Sequence, residues 1–158
     1  MMYIVFYLGG ILLANLLVHW FGLIHVGLLV FPAGAILIGL TFSARDFVQQ
    51  KYGKWQCWIW MVVASLITLL FNKQLAFASI ASFLVAEGLD WLIYIIFEHH
   101  PMSHRIIASN IISTPIDSAV FVSLAFGFGW QPIIGQTIVK FVSSMLVLPF
   151  LKYSKYRG

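Results

Sequence analysis

Six apolar blocks of roughly 20 residues follow one another with almost nothing between them, and a block of that length is what a helix needs to cross the hydrocarbon of a bilayer. The blocks are 2–20, 23–42, 55–72, 75–97, 106–128 and 132–151. Their connections are short, down to residues 21–22 and 73–74, which leaves no room for a soluble domain. With 61% hydrophobic and 9% charged residues and a mean hydropathy of +0.96, the chain is far from a soluble domain, where about a quarter of residues are charged. The expected fold is therefore all-α and integral to the membrane, one domain of six transmembrane helices over 1–158. The lone Cys57 has no partner for a disulfide and there is no paired-cysteine metal spacing, so neither a redox function nor a structural zinc site is expected.

Nine Lys and Arg give the chain its net charge of +4, and their distribution is a topology signal before it is a binding signal. Arg45, Lys51, Lys54, Arg105, Lys152, Lys155 and Arg157 fall on one side of the six blocks, against Lys73 on the other and Lys140 within a block. By the positive-inside rule both termini face the cytoplasm of a multi-pass inner-membrane protein. The first block lacks a basic n-region and a small-residue cleavage site, so it reads as a retained helix. Trp20, Trp55, Trp58, Trp91 and Trp130 stand near block ends, as interfacial anchors do. Within 43–54, Phe47, Val48 and Tyr52 share a face opposite Arg45, Gln49 and Lys51, the pattern of a short interfacial helix that Gly53 would stop.

An ionisable side chain at bilayer depth costs on the order of 3 kcal/mol, so each one needs a partner or a task. Glu87 and Asp90 lie three apart in the fourth block and so form one acidic patch. In the fifth, Asn110, Ser113 and Asp117 make a polar stripe, interrupted by Pro115, where a local break of the helix is expected. In the sixth, Gln136, Lys140 and Ser144 follow at intervals of four. Such a set reads as the lining of a cavity at the midplane, the raw material of a transporter binding site. Three carboxylates against one lysine leave acid in surplus, and with it a proton to exchange for substrate or a coupling ion.

His99, His100 and His104 flank Pro101 and are read as a solvated loop before a metal site, and His19 and His25 as interfacial residues. No glycine motif cradles a nucleotide, no nucleophile is paired with a base, and no cofactor, metal or nucleic-acid partner is expected. A substrate importer is the leading class. The alternatives are a structural or pore-forming small membrane protein, for which the midplane charges would be dispensable, and an intramembrane enzyme.

The stretch GLTFSARDFVQQKYGK over 39–54 resembles the signature of the bacterial queuosine-precursor transporters, the vitamin-uptake-transporter type. Three further blocks are similar to the same family in the same order: ASFLVAEGLDWLIYIIF from Ala81, ASNIISTPIDSAVFVSLAFG from Ala108 and GQTIVK from Gly135. The resemblance implies a six-helix bundle similar to the substrate-binding subunits of energy-coupling-factor transporters. It also implies a 7-deazaguanine cargo, 7-cyano-7-deazaguanine or its aminomethyl relative, salvaged for tRNA modification. Glu87, Asp90, Asn110, Asp117, Gln136 and Lys140 then line the substrate site, with Trp91, Tyr94 or Phe121 covering a base face. A guanine-like edge suits them, since a carboxylate accepts from its adjacent N–H donors while an ammonium or amide reaches its carbonyl oxygen. The same lining suits other small heterocycles. Proton coupling, facilitated transport and a separate energising module all remain compatible with it, as do several oligomeric states.

Overall fold

The computed structural model describes residues 2–100 and 102–154. Its elements, in chain order, are α1 (Met2–Phe21), β1 (Leu23–Val26), β2 (Leu29–Pro32), α2 (Ala35–Tyr52), α3 (Lys54–Leu69), α4 (Lys73–Ile96), α5 (Met102–Phe126) and α6 (Trp130–Ser154). Two segments, Ile4–Phe21 and Ala108–Phe126, are long and apolar enough to cross a membrane by length and composition, judged on the described residues.

The continuous helix expected over 23–42 does not form. Gly22, Gly27, Pro32 and Gly34 punctuate that stretch, and the short apolar runs between them pair as an antiparallel hairpin with Val26 opposite Leu29. Gly27 has φ +60°, and Leu28 is not among the residues of positive φ, which makes the two-residue loop a type II′ turn. Helix α2 starts only at Ala35 and then runs on through the segment expected to be a connecting loop. Val48 on that helix is fully buried among Tyr7, Ile11, Cys57, Met61 and Ala64, so the face carrying it meets protein and not the membrane surface. The side chains of Phe47, Gln49 and Lys51 lie outside the described residues. Gly53, at φ +90°, separates α2 from α3, as expected of a stop.

A second correction concerns Pro115. Helix α5 is continuous through it, and Pro115 sits on an exposed part of the surface, so the predicted local break is absent.

The helices pack as a ring in the order α1, α3, α4, α5, α6, α2, with β2 laid against α6. Small residues let the backbones approach: Ala14, Ala64, Ala76, Ala78, Ser65 and Ser118 are all buried. Helices α2 and α6 cross closely: a Cβ on Gly39 would stand 2.6 Å from Ser143 Cβ and 2.7 Å from the Lys140 carbonyl oxygen. Polar caps close the ends. Asn72 accepts from the Leu75 amide at 3.0 Å and meets His19 Nδ1 at 3.2 Å, while Gln74 Nε2 donates to the Leu124 and Ala125 carbonyls at the last turn of α5. Trp20, Trp55 and Trp130 are exposed at helix ends, in keeping with the anchoring role read from the sequence.

Candidate functional site

Two apolar clusters bound the middle of the ring. One is the Tyr7 cluster already described; the other joins Val18, Leu75, Ala78, Phe121, Val122 and Ile133 across α1, α4, α5 and α6. Against both lies a cavity of about 620 Å³, its open mouth included. Every helix supplies a polar side chain to its wall: Asn15 from α1, Thr41 and Arg45 from α2, Ser65 from α3, Ser79 and Ser82 from α4, Asp117 from α5, Gln136 and Lys140 from α6. Pro32, Gly34 and Ala35 at the exit of the hairpin complete it.

The charges divide into two groups. In the first, Lys140 Nζ donates to Asp117 Oδ2, with the two side chains 2% and 6% exposed. The ammonium also lies 5.7 Å from the ring centroids of both Phe42 and Phe121, so it sits between two aromatic faces. In the second group Arg45 bridges two carboxylates, Nη1 to Glu87 Oε1 at 2.8 Å and Nη2 to Asp90 Oδ2 at 2.9 Å. Asp90 Oδ1 in turn accepts from Ser109 Oγ. Arg45 lies 5.3 Å over the ring of Phe42, which therefore touches the cations of both groups.

Of the residues predicted from sequence, Asp117, Gln136 and Lys140 line the cavity together. Glu87 and Asp90 share one face of α4 as expected, but they stand behind Arg45 and are not part of the lining. Asn110 is only half-buried and does not line the cavity; the buried stripe of α5 is Ser109, Ser113 and Asp117, at intervals of four. The side chains of Trp91, Tyr94 and His104 lie outside the described residues. His99 contacts Glu98 at 3.3 Å in an exposed turn, and His100 packs against Phe97.

Arg45 was missed, having been assigned to a loop, and it changes the charge count: three carboxylates now face two cations. The available signal was the absence of any Gly or Pro between Gly39 and Gly53, which lets one helix carry Arg45 into the interior. Asn15 was missed as well. It is 2% exposed in the middle of α1, donates to Thr68 Oγ1 at 3.1 Å and accepts from Ser79 Oγ at 3.0 Å, tying three helices together at the cavity wall. A single amide in a leucine-rich block was its signal.

A family model described as "Putative vitamin uptake transporter" matches residues 67–154, the stretch that carries α4, α5 and α6 with Glu87, Asp90, Asp117, Gln136 and Lys140. No curated protein and no solved structure matches the chain.

Proposed function

The chain belongs to the vitamin uptake transporter family that this match describes, a family of membrane transporters for small substrates, and from that membership we propose that it imports a queuosine precursor, 7-cyano-7-deazaguanine or its aminomethyl relative. One observation carries the reading: a cavity inside the helix ring lined by Asp117, Gln136 and Lys140 together with Phe42 and Phe121, the Lys140 ammonium lying 5.7 Å from both ring centroids. Flat aromatic faces suit a planar heterocycle, and a carboxylate, an amide and an ammonium suit its hydrogen-bonding edge. The ring of helices around one open-mouthed cavity with polar groups in its wall supports a multi-pass bundle similar in architecture to energy-coupling-factor substrate-binding subunits. Proton coupling and a separate energising module are both compatible with it.

The cargo is tested in a host that cannot make the precursor and is supplied with it at low concentration. Expression of this chain is expected to restore queuosine to the tRNA, and Asp117→Asn, which keeps the shape of the side chain, is expected to reduce uptake at least about tenfold by removing one charged hydrogen-bonding partner. Queuosine remaining at the empty-vector level, with the protein present in the membrane, would overturn the cargo. Wild-type uptake by Asp117→Asn would make the ion pair structural, as in a pore-forming or scaffold protein. The family description favours one second reading, import of a vitamin or another small heterocycle, which the same host distinguishes by competition with unlabelled candidates.

A further inference from the structure

Most polar side chains of the cavity wall already have hydrogen-bond or ion-pair partners. On α1, α3 and α4, Asn15 is joined to Thr68 and Ser79, and Ser82 Oγ donates to the Ser79 carbonyl. On α5 and α6 Asp117 and Lys140 likewise pair with each other, but one buried acceptor of the lining is left over. Gln136 is 2% exposed, lines the cavity, and its Oε1 has no hydrogen-bond partner among the described residues. Ser118 Oγ is the other such atom on these two helices, but it does not line the cavity. A buried acceptor left unpaired carries the full cost of its lost hydration, and native structures seldom retain one without a use.

Gln136 and Lys140 are four residues apart and so lie on one face of α6, a turn from each other. Lys140 has three donors, of which Asp117 takes one. The cavity therefore offers an acceptor and a donor one helical turn apart, with the rings of Phe42 and Phe121 also in its lining. Their complement is a flat ring that carries an N–H next to a carbonyl.

We propose that Gln136 is the specificity-determining residue of this cavity, its side-chain oxygen accepting the ring N–H of a heterocyclic lactam whose carbonyl oxygen meets Lys140. The assignment rests on the importer reading above and sharpens it: the recognised feature is the lactam edge and not the substituent elsewhere on the ring. It also gives the network of Asn15 with Thr68 and Ser79 no part in choosing among lactams.

The experiment is a binding titration of purified full-length protein with two matched pairs of probes: 7-cyano-7-deazaguanine with its N1-methyl derivative, and hypoxanthine with 1-methylhypoxanthine. Each pair is measured on wild type, Gln136→Leu and Gln136→Glu. Methylation removes the N–H, and wild-type affinity for the methylated member of a bound pair is expected to fall about 10- to 100-fold, the usual consequence of leaving a buried acceptor unpaired. Gln136→Leu is expected to bind the parent weakly and to lose the discrimination, whereas Gln136→Glu keeps an acceptor and keeps it. The comparison of ligands on wild type stands even where Gln136→Leu fails to fold. Equal loss on methylation in wild type and Gln136→Leu, or wild-type affinity in Gln136→Leu, overturns the assignment. Discrimination within the hypoxanthine pair alone refutes the deazaguanine cargo and leaves Gln136 in its role; binding of no lactam at all refutes both.

Discussion

A guanidinium that gives one nitrogen to each of two carboxylates becomes indispensable to both, and Arg45 does this for Glu87 and Asp90 from a helix 42 residues earlier in the chain. All three side chains are at most 10% exposed. Arg45→Met removes the cation that two buried carboxylates share, and a loss of about 3 to 5 kcal/mol is expected, read as a fall in the thermal midpoint of the purified protein. Arg45→Lys should recover only part of it, because a single ammonium cannot reproduce the two-nitrogen fork. A midpoint unchanged in Arg45→Met would mean that the bridge contributes nothing to the fold. The sequence made Glu87 and Asp90 legible as a pair, since spacing on one helix fixes their shared face. Their partner was not legible, because spacing says nothing about which other helix stands opposite.

At the level of elements, the three C-terminal helices follow the hydrophobic blocks closely, and the region after α1 does not. Gly27, Pro32 and Gly34 stood in the first half of the block 23–42, but its uniform hydropathy hid the change from helix to hairpin: both bury apolar residues, and only the punctuation differs. The hairpin is held by contact as well as by its turn. A Cβ on Gly135 of α6 would run into the backbone carbonyl of Val30 on β2, so that only glycine lets the strand lie against the helix. Gly135→Val is expected to cost about 1 to 3 kcal/mol through forced displacement of the backbone, whereas Gly9→Ala, where a Cβ meets nothing, should be neutral or stabilise by up to about 1 kcal/mol. Thermal unfolding of the two variants side by side checks this, and equal midpoints would show that the hairpin yields without cost. The same glycine lies one residue before Gln136, so the seating of β2 also fixes the height at which that amide enters the cavity.

For the whole molecule, the ring places the hairpin, Lys73 and the 127–129 turn at one end, and the start of α1, the 97–102 connection and the end of α6 at the other. Arg45 moves to the interior, Lys155 and Arg157 lie outside the described residues, and Lys51, Lys54, Arg105 and Lys152 fall on helix ends at the second end against Lys73 at the first, so the expected orientation with both termini in the cytoplasm keeps its motive. Cysteine labelling of intact cells with an impermeant reagent tests it: a cysteine at Leu28, 97% exposed at the hairpin tip, should be modified, and one at Tyr156 should not. The reverse pattern would invert the protein in the membrane.

The ring order also has a consequence for biogenesis. Helix α2 sits between α1 and α6, so its seat is incomplete until the last helix has been translated. Arg45 leaves the ribosome well before Glu87, and Asp117 before Lys140, so each charge must wait for its counterion in a partly inserted chain. An unfinished chain therefore carries isolated charges where the finished one carries ion pairs.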